Sequence, residues 1–201
     1  MSRPLCSHCK FSLQTCLCED LSVFANKLKI IVLQDPNEVK VSKNTARLLP
    51  LCLSQCELLV GESQADFAIL ANLPIESTAL LYPSDEAILL DQLHPSHSLF
   101  IKQLTHLVVL DGTWKKAFKI LQLTPVLNHF KKVSFAEIPQ NRYRIRKAPR
   151  ADSLSTLEAV AHSLALIENV DPTDLYKVLE ALNNKQTQFM PKHVKARYQI
   201  K

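Results

Sequence analysis

Four cysteines crowd the first eighteen residues, as Cys6-x2-Cys9 followed by Cys16-x-Cys18. Four thiolates in so short a span can wrap one tetrahedral ion, and closed coordination by soft sulfur suits zinc. His8 is able to replace one ligand. The segment has polar spacers and almost no apolar periodicity, so a metal rather than a hydrophobic core must order it. Free thiols are the alternative, and disulfides fit a reducing compartment poorly. Cys52 and Cys56 lie apart, among leucines, where small buried hydrophobes are expected.

A second group is Asp111-Gly112-Thr113-Trp114, where an apolar strand run ends and a helical pattern begins. In α/β proteins that position gathers ligand-binding residues. A carboxylate there can serve as a base or as an orienting acceptor. Asp111 or Thr113 can equally be a helix cap. Trp114, the only tryptophan, can stack on a base or pack against the sheet. Lys115 and Lys116 occupy the first helical turn, where the helix dipole disfavours cations by a few tenths of a kcal/mol, about 0.3 or more. They either serve an anionic ligand or are solvated.

The third group is Arg142-Tyr143-Arg144-Ile145-Arg146-Lys147, which interleaves cations with an aromatic. An extended segment of this kind can meet phosphates and an unstacked base; a solvated charged loop is the other account. Asn44 and Ser155 each open a helical pattern. Bare N–H groups there suit a carboxylate, and capping explains the two residues equally well.

The elements that must position these groups alternate between strand and helix. Apolar runs at 28–33, 58–60, 79–82 and 106–110 read as strands. Helices are expected over 44–53, over 114–123, from the capping box Ser155/Glu158, and after Asp171-Pro172 with proline in the first turn. The sequence therefore predicts an α/β domain over 27–201 and a small zinc-binding segment over 1–26. With 201 residues, 47% hydrophobic and 21% charged, the chain has room for one full core and little more. Its two glycines exclude Gly-rich dinucleotide and phosphate loops. A formal charge of +5 is modest for a nucleic-acid binder, so the local basic patch matters more than the total. No secretory leader and no apolar run of membrane length is found, and a soluble cytoplasmic protein is expected.

Taken together these pieces resemble the DTW-domain family, named for an Asp-x-Thr-Trp signature that stands here as Asp111 to Trp114. Pro36-Asn37-Glu38 and Asn44-Thr45-Ala46-Arg47-Leu48 match its early block, and Leu81-Tyr82-Pro83 the next. Tyr143 to Lys147 and Leu154-Ser155-Thr156-Leu157-Glu158-Ala159 match its late block, and the cysteines match its zinc cluster. Asp35 departs from the pattern, since relatives commonly carry histidine there, and it receives no family role.

The resemblance implies transfer of a 3-amino-3-carboxypropyl group from S-adenosylmethionine to N3 of a tRNA uridine, leaving 5′-methylthioadenosine. It further implies a SPOUT-like fold, a mixed sheet flanked by helices with a C-terminal trefoil knot. The site residues expected from it are Asp111 as base, with Thr113 and Trp114; Asn44, Thr45, Arg47, Leu154, Ser155, Thr156 and Glu158 around the donor; and Arg142, Tyr143, Arg144, Arg146 and Lys147 on RNA. Arg47 is open to either a donor carboxylate or an RNA phosphate. The competing expectations are a SPOUT-type RNA methyltransferase and a non-catalytic zinc-dependent RNA-binding module.

Overall fold

The computed structural model describes residues 4–143, 145 and 154–191. The strands are β1 (Lys29–Gln34), β2 (Cys56–Val60), β3 (Thr78–Leu81), β4 (Ile88–Leu89), β5 (His106–Asp111) and β6 (Lys131–Ser134). They form one six-stranded sheet in the order β2-β1-β5-β3-β6-β4. Every pairing is parallel, where the expected sheet was mixed. The reason lies in the connections: each passes out of the sheet, through helical turns or irregular chain, and brings the next strand back in the same direction.

Two-residue alternation sends β1 and its neighbours into two cores. Ile30, Val32, Leu107, Val109 and Ala79 point to one face, and Ile31, Leu33, Val108 and Leu80 to the other. Both faces are covered, which is why these strands read as unbroken apolar runs. The first face is closed by α4 (Thr156–Glu168) and α5 (Thr173–Gln188), and the second by α3 (Trp114–Leu123) with the 3-10 turns Ala68–Asn72 and Pro125–His129. Two shorter helices, α1 (Leu49–Cys52) and α2 (Ser98–Lys102), sit on the first side.

Three helices follow the sequence reading closely. Helix α3 spans 114–123 as expected, and α4 opens on the Ser155/Glu158 capping box. Helix α5 begins at Thr173, so Pro172, not Asp171, is its cap residue and lies outside the first turn; Asp171 accepts from Thr173 N at 3.0 Å from one residue further out. The helix expected over 44–53 is broken into a 3-10 turn, Ala46–Leu48, and the single turn α1. Pro50 explains the break, because it has no N–H to give the Ala46 carbonyl, which Leu49 N takes up in a tighter bond.

The cysteine segment is not a free appendage. Cys9, Phe11 and Leu17 are buried in the same core as α4 and α5. Lys185 of α5 donates to the Cys16 carbonyl and pairs with Asp20 at 2.7 Å, and Arg47 donates to the Lys10 carbonyl while its guanidinium lies 3.9 Å from the Phe11 ring centroid. Glu168, at the end of α4, accepts from the backbone N–H groups of Lys27 and Leu28 and fixes the entry to β1.

Leu107, fully buried, sits opposite Ile30 and Ala79 in the middle of the sheet. Leu107→Ala is expected to cost about 2–5 kcal/mol through lost burial and the cavity left behind. Urea denaturation followed by circular dichroism measures it.

Candidate functional site: a locked carboxylate at the strand ends

Strands β1 and β5 lie side by side, but their chains depart in opposite directions across the sheet, β1 to β2 on one side and β5 to β6 on the other. Adjacent parallel strands that diverge in this way leave a crevice beyond their carboxyl ends, the place where open α/β sheets put their ligands. Gln34 and Asp111 are the last residues of these two strands and are partners in register.

Asp111 is only 3% exposed. Its Oδ2 accepts from Gln34 Nε2 at 2.8 Å and Asn44 Nδ2 at 2.7 Å, and its Oδ1 accepts from Thr156 Oγ1 at 2.5 Å. Gln34 Nε2 also reaches Asn44 Oδ1 at 3.2 Å. A buried carboxylate must be satisfied by donors or neutralised, and here three neutral donors hold it from three separate elements. Gln34 was not singled out from the sequence; the signal available was a polar residue closing an apolar strand beside the Asp111 strand.

The residues expected around a donor divide into two groups. Asn44, Thr45, Ser155 and Thr156 meet at the start of α4, where Thr45 Oγ1 accepts from Leu157 N at 3.3 Å and Ser155 Oγ from Glu158 N at 3.4 Å. The N–H groups expected to be bare are thus capped from within the chain. Leu154 is half-buried beside them. Glu158 and Arg47 point elsewhere. The Glu158 carboxylate accepts from Ser155 N at 2.8 Å, Arg142 N at 2.6 Å and Tyr143 N at 3.1 Å, fastening the basic segment to α4. Arg47 turns towards Phe11 and Lys10.

Of the DTW block, Thr113 is exposed and precedes α3 without a side-chain cap. Trp114 is 49% exposed, touching Tyr82 edge-on at 6.3 Å between ring centroids, so about half of its surface faces solvent. Gly112 admits a close approach, since a Cβ there meets Lys116 Cβ at 3.0 Å. Lys116 is neutralised in place by Glu38 Oε1 at 2.9 Å and Asp35 Oδ1 at 3.5 Å, which explains a cation in the first turn of α3. Its pKa rises through the Glu38 bond. Burial pushes Asp35 up, but the Asn37 amides and Lys116 outweigh it and hold the carboxyl below its usual value.

Within the basic segment, Arg142 is exposed and stacks 4.3 Å from the Tyr176 ring centroid. Tyr143 is 3% exposed, and its hydroxyl donates to the Lys43 carbonyl. It is an anchor inside the fold instead of the presented aromatic that the interleaved pattern suggested. Arg144, Arg146 and Lys147 lie outside the described residues.

The four N-terminal thiols converge, their sulfurs all within 4.8 Å of one another. Cys6 and Cys18 are 3.5 Å apart and Cys9 and Cys16 3.7 Å, close to the roughly 3.8 Å edge of a tetrahedron with zinc–sulfur bonds of about 2.3 Å. The backbone N–H groups of Cys9 and His8 lower the Cys6 thiol to about 6, while the Cys16 and Cys6 thiols raise Cys18 to about 12. Such crowding of sulfur is what a bound cation relieves, and the cluster fits zinc. His8 is exposed and does not join it.

This is a parallel α/β protein with a carboxylate site at a topological switch point and a four-cysteine cluster packed on its core. The sequence model of the DTW domain matches residues 3–187, and the chain belongs to that family. It is 30% identical over 98% of its length to tRNA-uridine aminocarboxypropyltransferase 2 of Drosophila melanogaster, of which it covers 76%. It is 29% identical over 92% to the protein of the same name in Macaca fascicularis, of which it covers 64%. To tRNA-uridine aminocarboxypropyltransferase A of Arabidopsis thaliana it is 24% identical over 96%, covering 83% of that protein. No solved structure matches.

Cys52 and Cys56 differ from the cluster, because burial pushes both thiols up to about 12. At pH 8 the native protein is expected to leave Cys52 unreacted with a thiol-specific reagent, and unfolding in guanidinium to release both. Fast modification of the fully buried Cys52 in the native state, located by peptide mass spectrometry, contradicts its placement, whereas the half-buried Cys56 is expected only to react more slowly than a free thiol.

Proposed function

We propose that the chain is a tRNA-uridine aminocarboxypropyltransferase, moving the 3-amino-3-carboxypropyl group of S-adenosylmethionine to N3 of a tRNA uridine and releasing 5′-methylthioadenosine. The observation that carries the reading is the placement of Asp111, within the family's signature, at the crevice between β1 and β5 and beside a solvent-facing Trp114. The named relatives support the same reading.

In the reaction the N3–H proton leaves, N3 forms a bond to the methylene carbon next to the sulfonium, and the carbon–sulfur bond breaks. Its electron pair leaves as the thioether of methylthioadenosine. No redox partner is required. An imide nitrogen is a poor nucleophile until deprotonated, so a proton acceptor and alignment are both needed. Asp111 accepts the N3 proton, held in one orientation by Gln34, Asn44 and Thr156. Trp114 gives the uridine a stacking face. Asn44, Thr45 and the 154–156 stretch form the wall for the donor, and Thr113 stands at the entrance. Glu158 shapes this wall by holding residues 142 and 143 against α4.

Arg142, with Arg144, Arg146 and Lys147, provides cations for tRNA phosphates. Cys6, Cys9, Cys16 and Cys18 hold a structural zinc in segment 1–26, and 27–201 is the catalytic domain. A SPOUT-like arrangement with a C-terminal trefoil knot belongs to the same reading. Among the described residues no helix is long and apolar enough to cross a membrane, and tRNA as substrate fits a cytoplasmic enzyme.

Purified protein incubated with S-adenosylmethionine and unmodified tRNA is expected to yield methylthioadenosine and a matching mass gain on a uridine, both read by mass spectrometry. S-Adenosylhomocysteine as product makes it a methyltransferase instead. Asp111→Asn is expected to lose turnover by about 100-fold or more while donor binding persists by calorimetry. Near-normal turnover in that variant removes Asp111 from proton transfer.

Metal analysis of the purified protein is expected to give a single zinc per chain. Chelation is expected to lower the melting temperature, since Cys9, Phe11 and Leu17 lie in the common core. A melting curve indifferent to both chelator and added zinc speaks against a structural metal.

A further inference from the structure

Beside the cysteine segment a groove of about 670 Å³ opens between the turn carrying Lys10 and Phe11, the loop carrying Val39 and Lys40, and the C-terminal end of α5 at Phe189. Its volume lies in the range, about 300–1,000 Å³, of sites that enclose groups the size of one or two nucleotides. Lys10, Lys40 and Arg47 line it, and among the described residues no Asp or Glu does. The ammonium groups of Lys10 and Lys40 have no carboxylate partner among the described residues, whereas Lys116, Lys119 and Lys185 each have one. The groove is thus a concentration of unneutralised positive charge.

Its apolar surface has a particular form. Phe189 is 56% exposed at the rim, and the Arg47 guanidinium, laid over Phe11, presents a flat cationic face. Flat faces flanked by free cations match the alternation of base and phosphate in unpaired nucleic acid. An extended peptide finds less here, because the walls are turns and a helix end and offer no strand edge to pair with. Beyond Pro191 the sequence carries Lys192, Lys195, Arg197 and Lys201 and no acidic residue, so its charge has the same sign.

We propose that this groove binds an unpaired stretch of the tRNA substrate, with phosphates on Lys10 and Lys40 and a base stacked on Phe189. The inference rests on the tRNA reading given above and adds a place of contact away from the reacting uridine. The two places are connected: Asn44 donates to Asp111 at 2.7 Å and accepts from Arg47 N at 3.3 Å, so one short turn separates groove from crevice.

The test uses the full-length, zinc-loaded protein with two probes, an unmodified tRNA transcript and a short oligouridine, titrated over a salt series. Lys40→Ala is expected to make the salt dependence shallower by about one phosphate contact. Phe189→Ala combined with Lys40→Ala is expected to weaken both probes about tenfold or more. Both side chains are exposed, and an unchanged melting curve verifies the fold. Tight binding by the wild type with no loss in the double variant overturns the groove and leaves the catalytic reading standing. Failure of the wild type to bind either RNA overturns the tRNA reading and the groove with it. Crosslinks from 4-thiouridine-substituted tRNA are expected on the peptide containing Phe189; crosslinks confined to the Trp114 peptide overturn the groove alone.

Discussion

The carboxylate of Asp111 is the constraint around which the rest is arranged. It is desolvated, and among the described residues no cation pairs with it, so its charge is carried by Gln34, Asn44 and Thr156 alone. A buried ion held by neutral donors is tolerated only where every donor is fixed. Each donor here comes from a different element: the end of β1, the loop before the 3-10 turn 46–48, and the first residue of α4. If any of these elements moves, the charge loses a partner. The carboxylate therefore ties the sheet to the two segments that surround the crevice.

The same economy of polar groups extends outward. Thr45, next to Asn44, caps Leu157 of α4, and Glu158 in the same turn holds the backbone of 142 and 143. The Tyr143 hydroxyl and the Lys43 ammonium then lock that segment back onto the loop that carries Asn44. The central strands cannot supply such cross-links, because their backbone groups are spent on parallel neighbours on both sides. Side chains at the strand ends and helix starts supply them.

Much of this was legible in the sequence, for identifiable reasons. The apolar runs at 28–33 and 106–110 are continuous because both faces of a parallel sheet are covered, and α3 and α4 carry clear start signals in the turn after Asp111 and in the Ser155/Glu158 box. The cysteine spacing predicts convergence of four sulfurs because so short a chain leaves them little room to separate. What sequence could not show was direction. The family resemblance implies donor contacts for Glu158 and Arg47, with an RNA phosphate as the alternative for Arg47, and the structure turns one to the basic segment and the other to Phe11. Tyr143 sits among cations but is turned inward. Neighbourhood in sequence fixes distance along the chain, whereas a turn of one residue decides which side a group serves. The pairing of Lys116 with Asp35 and Glu38 was hidden for a further reason: its partners lie on another strand's exit loop, about eighty residues earlier.

The cysteine cluster and the carboxylate appear as separate features in the sequence, but they share a support. Cys9 and Phe11 are buried in the first core, Phe11 carries the Arg47 guanidinium, and the Arg47 backbone N–H donates to Asn44 Oδ1. Asn44 in turn holds Asp111. A 3-10 turn of three residues, cut off from a longer helix by Pro50, has little stability of its own. Its position is set by what packs on its two sides, the cysteine segment on one and α4 on the other. On the proposed reading, a zinc held by the four cysteines would fix the turn as well, and through it the Asn44 bond to the buried carboxylate.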